Sequence, residues 1–152
     1  MSELDLSHLS PQDAEAALRS YPRRFREAFA AVDEVPDDAV EHADHVARSV
    51  ALLGEALRQV VVADDPTLVP AVADDASRDW SFAGSSSLDD VLTFVAMSCT
   101  EMADQIAHVA ASAWTRTGTV AGSGQTMSAL DVVREAVRTG ATHLRAAEAL
   151  LR

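Results

Sequence analysis

Hydrophobic residues recur three and four positions apart along four long stretches of the chain, which is the spacing of one helix face. The second stretch, from residue 36 or 37 to 62, shows this most clearly, with apolar side chains at Val46, Val50, Leu53, Leu57 and Val60. The third covers about 88–113 and the fourth about 128–151, and strand-like runs are scarce. The pattern predicts an all-α protein with the architecture of a four-helix bundle.

The first stretch has a clear start and an interruption near its middle. Ser10 suits an N-cap and Pro11 suits the first helical position, and acidic residues follow in the first turn. Pro22 lacks a backbone N–H, and its ring clashes with the preceding turn at a cost of roughly 3 kcal/mol. We therefore expect a kink or a restart of the helix near Ser20.

Two segments between the helices carry turn-forming residues. Residues 63–87 contain two prolines, two acidic pairs and a GSSS sequence. This segment predicts a long crossover between helices 2 and 3, which would then not be simple hairpin neighbours, and long loops in compact domains are often functional. The glycine-bearing segment TRTGTVAGSGQT, residues 115–126, is interpreted as a linker that ends at a helix cap at Thr126 or Ser128.

Composition restricts the class of partner. The chain has 152 residues with 48% hydrophobic content, so we expect a single domain over residues 1–152. Twenty-four acidic residues and twelve basic ones, all arginine, give a net charge of −12, which disfavours nucleic acid and anionic membranes as partners. Cys99 is the only cysteine, and no segment resembles a signal peptide or a membrane span. We expect a cytoplasmic protein.

Two histidines almost a hundred residues apart are the candidate chemical groups. His45 lies in the second helical pattern and His143 in the fourth, so a bundle could bring them together across its core. Thr139 lies one turn before His143, where a second histidine would complete an H-x-x-x-H half-site for a metal. A neutral hydroxyl is a poor ligand for zinc or nickel. The pattern therefore indicates a metal pocket that lacks one ligand.

Other side chains could supply the missing ligand. His42 lies one turn before His45, and Glu135 lies one turn before Thr139, so each could lean towards the site. His108 and Glu101 in the third helix are more remote alternatives.

The chain resembles the DinB-like superfamily of metal-binding four-helix bundles over nearly its whole length. The resemblance rests on the order and spacing of SPQDAEAALRSYPRRFREAF, EHADHVARSVALL, DDPTLVPAVADDAS, WTRTGTVAGSGQTMSALDVV and the HL pair at 143–144. The superfamily includes thiol-dependent S-transferases and the N-terminal domain of mycothiol-dependent maleylpyruvate isomerase. The resemblance implies a DinB-like bundle, and relatives are often dimers, so a homodimer is also expected.

The resemblance implies a metal site with three histidines, one from helix 2 and two spaced four apart on helix 4. His45 and His143 match this pattern, and Thr139 departs from it. Asp37 stands where relatives commonly have tryptophan, which would alter the mouth of the pocket. The implied metal is zinc or nickel, held weakly or lost.

Three functions remain open from the sequence. The favoured hypothesis is a bundle with a degenerate metal site, whose inter-helix pocket binds a small molecule or catalyses acid–base chemistry through His45 or His143 without a metal. The alternative is a metal-dependent S-transferase or isomerase that activates a low-molecular-weight thiol of the mycothiol type, in which Thr139 would orient water or substrate. The third hypothesis is a non-catalytic structural or partner-binding bundle.

Overall fold

The computed structural model describes residues 5–78 and 87–152. Four helices dominate it, and they are α1 (Pro11–Ala30), α2 (Asp37–Val62), α3 (Leu88–His108) and α4 (Ala129–Leu150). Helix α2 packs against α3 and α4, and α1 packs against the same two helices, so α1 and α2 lie diagonally across the bundle. The predicted four-helix bundle is confirmed. The second halves of α2 and α3 lie together, and Gln105 Nε2 donates to the Gly54 carbonyl at 3.1 Å. The two helices therefore run in the same direction and are joined by a crossover and not by a hairpin turn, as expected.

Side-chain caps mark the helix starts that the sequence predicts. Ser10 and Ser128 accept hydrogen bonds from the backbone N–H groups three residues ahead, and Ser128 forms a reciprocal capping box with Asp131. Helix α1 continues through Pro22 without a restart, and the Ser20 hydroxyl donates to the Ala17 carbonyl at 2.6 Å. Helix α3 ends at residue 108, earlier than predicted, since the next residue has an extended backbone.

A small sheet forms where the sequence pattern indicates a linker. Its strands are β1 (Thr67–Leu68), β2 (Thr117–Val120) and β3 (Thr126–Ser128), with β2 parallel to β1 and antiparallel to β3. Gly122 and Gly124 adopt positive φ angles of 86° and 72° in the connection between β2 and β3, which favour glycine. The sheet ties the start of the crossover to the segment that precedes α4.

The hydrophobic core is continuous, and within it α1 and α4 approach each other closely at a glycine. The Tyr21 ring on α1 lies against Gly140 on α4, and the Tyr21 hydroxyl donates to the Val137 carbonyl at 2.9 Å. A Cβ atom at Gly140 would lie 2.2 Å from Tyr21 Cε2, so only glycine fits there. Within the described ranges, 5–78 and 87–152, no helix is both long and apolar enough to cross a lipid bilayer.

We predict that Gly140→Ala lowers the free energy of unfolding by about 2 kcal/mol, because the added methyl group overlaps the Tyr21 ring. Gly54→Ala is the matched control on α2, where the new Cβ would lie 3.4 Å from the side-chain nitrogen of Gln105. Because alanine is the better helix former, the control should be neutral or stabilising by up to about 1 kcal/mol. Urea denaturation measures both. Equal behaviour of the two variants would contradict the Tyr21 contact.

Candidate metal centre

Helices α2 and α4 bring the two widely separated histidines into contact. The imidazole of His45 on α2 and that of His143 on α4 have ring centroids 4.2 Å apart. Both side chains are largely covered, with exposed fractions of 15% and 14%. The pairing follows from the fold, because α2 and α4 make the most extensive contact between helices in the bundle.

The third side chain at this point comes from the crossover. Asp75 opens the 3-10 turn Asp75–Ser77, which Asp74 caps by accepting from the Ser77 backbone N–H at 2.9 Å. Asp75 Oδ1 lies 2.8 Å from His45 Nε2 and 3.1 Å from His143 Nε2. Asp75 Oδ2 is also 3.1 Å from His143 Nε2. One potential ligand atom from each residue thus lies within 4.8 Å of the other two.

These three side chains fit a divalent metal in both chemistry and spacing. Two imidazole nitrogens and a carboxylate form a donor set that zinc and other first-row metals accept. Two ligand atoms about 2.1 Å from a metal are roughly 3.0 Å apart in octahedral geometry and roughly 3.4 Å apart in the tetrahedral geometry of zinc. The nitrogen-to-oxygen separations of 2.8 and 3.1 Å are those of hydrogen bonds and lie within about 0.6 Å of either metal-ligand spacing.

His42 contacts the other face of this group. Its Nδ1 lies 2.8 Å from His143 Nδ1, so the two nitrogens share one proton. When His143 Nε2 donates to Asp75, His143 Nδ1 accepts from His42; when His143 Nε2 offers its lone pair, His143 Nδ1 donates instead. Burial, reinforced by His143, lowers the pKa of His42 and favours its neutral ring, which permits the hydrogen bond in either direction. His42, expected as a spare ligand, is placed to orient His143.

The electrostatic state of Asp75 follows from its two imidazole neighbours. Hydrogen bonding from His143, followed by that from His45, holds the pKa of Asp75 well below its usual range, against the opposing effect of partial burial. The carboxylate therefore stays ionised at every physiological pH. Its side chain is 45% exposed, so the group is open to solvent on one side.

A buried arginine occupies the space beside Thr139. The Arg78 side chain has no exposed surface, and its Nη2 donates to Glu135 Oε2 at 2.6 Å and to Thr139 Oγ1 at 2.8 Å. Its Nε donates to Ser49 Oγ at 3.2 Å. We refer to Arg78, Ser49, Glu135 and Thr139 as the Arg78 cluster. Thr139 and Glu135, expected near the metal site, are therefore engaged by a guanidinium.

The remaining candidates lie elsewhere. Glu101 and His108 on α3 line a different cavity, between α2 and α3, and the His108 ring hydrogen-bonds to the Asp104 carbonyl. Cys99 is buried, and burial raises the pKa of its thiol to about 12, so it does not supply a nucleophile.

A cavity of about 320 Å³ opens next to the histidines. Its lining consists of acidic, imidazole and apolar groups, namely Asp38, Glu41, His42, His45, His143 and Leu150. Asp37, where the resemblance implies an altered pocket mouth, is exposed at the first position of α2, next to the lining residue Asp38. The mouth of the cavity is negatively charged.

Asp75 and Arg78 are the two residues at this site that the sequence pattern does not reveal. Both lie in the crossover, where no hydrophobic period fixes the direction of a side chain. The only local signal is the acidic pair at 74–75 within a long proline-containing loop.

Comparison with known proteins identifies the fold. No protein-family model matches the chain, and no curated protein sequence matches it. Among solved structures, the chain is similar to YfiT from Bacillus subtilis, described as a probable metal-dependent hydrolase with an unusual four-helix bundle topology. The similarity has a TM-score of 0.75 at 12% identity and covers 99% of this chain and 90% of YfiT. The chain therefore has the fold of the DinB-like four-helix bundles that its sequence resembles.

Proposed function

We propose that the protein binds one divalent metal ion through His45, Asp75 and His143 and uses it in a reaction on a small molecule. The observation that carries this proposal is the convergence of two imidazoles and one carboxylate from three separate parts of the chain. Hydrolysis is the favoured reaction class, because the structurally similar YfiT is described as a probable metal-dependent hydrolase. The thiol-dependent transfer or isomerisation implied by the resemblance would use the same three ligands and stays a prediction.

The protein groups around the three ligands have distinct roles in this proposal. A bound divalent metal supplies a Lewis acid that lowers the pKa of a coordinated water or thiol. His42 orients the His143 ring through the shared proton, as outer partners of metal-bound histidines commonly do. The S-transferase or isomerase hypothesis gives Thr139 the role of orienting water or substrate. In the structure, Thr139 is buried and hydrogen-bonded to Arg78.

The cavity restricts the substrate. Its volume of about 320 Å³ falls at the lower end of the range of roughly 300 to 1,000 Å³ typical of small-molecule sites. Asp38 and Glu41 at its lining, together with the net charge of −12, disfavour polyanionic substrates. Neutral or cationic small molecules suit this pocket best.

We predict that protein purified without a histidine tag and equilibrated with Zn²⁺ retains about one zinc ion per chain, because the site supplies two histidines and a carboxylate. His45→Ala and Asp75→Ala should each abolish stoichiometric binding, since two remaining ligands hold a metal weakly. Elemental analysis after gel filtration measures the metal content.

His108→Ala is the matched control for that measurement, because it removes an exposed histidine from a different helix. Its zinc content should equal that of the wild type. A wild-type protein that retains no zinc, or an Asp75→Ala variant that retains as much as the wild type, overturns the proposed site.

The contacts of Asp75 also favour a second candidate function, in which the site acts without metal. The His45–Asp75 hydrogen bond of 2.8 Å and the His143–Asp75 hydrogen bond of 3.1 Å orient both imidazoles through an ionised carboxylate. A carboxylate that fixes the tautomer of a histidine is a common arrangement for a general base. In this candidate function, His45 or His143 exchanges a proton with a small molecule in the adjacent cavity.

We predict that, in metal-free protein, Asp75→Asn lowers the free energy of unfolding near neutral pH and that this difference from the wild type shrinks below about pH 4. The pKa of Asp75 is depressed in the folded state, so its carboxylate stabilises the fold above the pKa of the unfolded chain. On acidification the unfolded chain binds the proton first, and the stabilisation is lost. Urea denaturation with EDTA, across a pH series, measures the difference.

Asp33→Asn controls for the general effect of charge, because it removes an equal charge from an exposed position between α1 and α2. A difference between wild type and Asp75→Asn that stays constant down to about pH 2 would contradict the pairing of Asp75 with the histidines.

A further inference from the structure

Arg78 links the same two helices that carry the histidines, at a point one helical turn away from each histidine. Ser49 follows His45 by four residues on α2, and Thr139 precedes His143 by four residues on α4. Residues four apart lie side by side on one face of a helix. The Arg78 guanidinium bonds to Ser49 and Thr139, so it spans α2 and α4 directly beside the histidine pair.

Asp75 and Arg78 belong to one short segment and make parallel bridges. Asp75 bonds to both histidines, and Arg78, three residues later, bonds to the neighbouring turn of each helix. Arg78 Nη2 is also 3.6 Å from Asp75 Oδ1. In addition, Arg78 Nη1 donates to the Ala71 carbonyl at 2.9 Å, which closes the segment on itself.

We propose that Arg78 is a positioning residue that holds Asp75 against His45 and His143. Thr139 is in this view a hydrogen-bond partner of Arg78, and the guanidinium occupies the space into which a third imidazole from α4 would project. The test of this role by metal affinity rests on the proposed function. The test on metal-free protein does not depend on metal binding.

The crossover needs such an anchor because it has little regular structure of its own. Between β1 and the end of the described part of the crossover, at residue 78, it contains two 3-10 turns, Pro70–Val72 and Asp75–Ser77. Holding a loop residue in one conformation opposes roughly 1 to 2 kcal/mol of backbone entropy per residue. A fully buried guanidinium with four hydrogen bonds to defined partners fixes the end of the segment next to Asp75.

The charge of Arg78 does not oppose a metal at Asp75, because Glu135 neutralises it. Glu135 Oε2 is 2.6 Å from Arg78 Nη2, closer than Asp75 Oδ1 at 3.6 Å. The buried pair Arg78–Glu135 is therefore close to neutral as a unit, and the partly exposed Arg138 is a more distant second partner of Glu135, at 3.5 Å. The influence of Arg78 on the site is then geometric, and its removal should weaken metal binding.

A double-mutant cycle on metal affinity tests the proposal. Arg78→Met and Asp75→Ala should each lower Co²⁺ affinity by about ten-fold or more. The visible Co²⁺ spectrum of Arg78→Met should change in the same way as that of Asp75→Ala, because both variants lose the Asp75 carboxylate as a ligand. The double variant should bind no more weakly than Asp75→Ala alone, because Arg78 acts through Asp75. Additive losses, or wild-type affinity in Arg78→Met, overturn the proposal.

Controls keep loss of folding apart from loss of positioning. Arg78→Met removes the guanidinium 2.6 Å from the buried Glu135 carboxylate and leaves it with the more distant Arg138, at 3.5 Å, as an ion-pair partner, so Arg78→Met/Glu135→Leu removes the Arg78–Glu135 pair together. Thr139→Val deletes one hydrogen bond and keeps the volume, and it should weaken Co²⁺ binding several-fold in a folded protein. Arg116→Met is the matched arginine control, because Arg116 donates to the Val60 and Ala63 carbonyls at the end of α2 and should leave affinity unchanged.

Metal-free protein provides the readout that separates the two proposals. The ring ¹⁵N shifts of His45 and His143 report their hydrogen bonds to Asp75, and Arg78→Met should move them towards the values of Asp75→Ala. If wild-type protein binds no Co²⁺ but the rings respond in this way, the proposed function fails and the positioning role stands. If the rings are unchanged in Arg78→Met, the positioning role fails whatever the metal result.

Substitution of Thr139, on α4, tests whether the Arg78 guanidinium occupies the space of a third imidazole. Thr139→His should weaken Co²⁺ binding, because Thr139 Oγ1 lies 2.8 Å from Arg78 Nη2 and the imidazole would displace the guanidinium. In an Arg78→Ala background the same substitution should tighten Co²⁺ binding relative to Arg78→Ala alone, since the space is then free for a third imidazole. Tighter binding by Thr139→His in the otherwise unchanged protein overturns the proposed arrangement.

Discussion

Arg78 carries a positive charge into the interior of the bundle, where it has no exposed surface. An isolated charge in that position is prohibitively unfavourable, so burial demands a counter-ion and acceptors for the guanidinium. Glu135 and Thr139 on α4, together with Ser49 on α2, meet that demand. Through these contacts the end of the crossover segment is bonded to both α2 and α4. Asp75 is carried with it and reaches the histidines.

The site is thus a bridge between α2 and α4 with an anionic and a cationic part. Asp75 accepts hydrogen bonds from the histidines, and Arg78 donates to the neighbouring turn of each helix. Thr139 fits this arrangement because a hydroxyl accepts from a guanidinium and is small enough to leave room for it. Thr139 stands where the three-histidine pattern has its third ligand, and the Asp75 carboxylate from the crossover joins the two remaining histidines. The donor set therefore still suits a divalent metal.

The regular parts of the fold were predictable, and the irregular parts were not. The starts of α1 and α4 follow from Ser10 and Ser128, whose side chains cap the helices whatever lies around them. The strands at 117–120 and 126–128 do not follow from the sequence pattern, because each is short and β2 also pairs with β1, about fifty residues earlier in the chain. Pro22 did not divide α1, because packing of the flanking turns holds the helix together in spite of the lost backbone bond.

The sequence by itself determined that His45 and His143 lie on long helices, because helical periodicity fixes the direction of every side chain along an element. It also identified Thr139 as the position where the chain departs from the three-histidine pattern that the resemblance implies. Only the tertiary structure decided that Asp75 joins the histidines and that Arg78 lies against Thr139. Both residues belong to a crossover without periodicity, so their side-chain directions depend on partners 29 to 68 residues away in the chain. The positions of these partners exist only after the helices have packed.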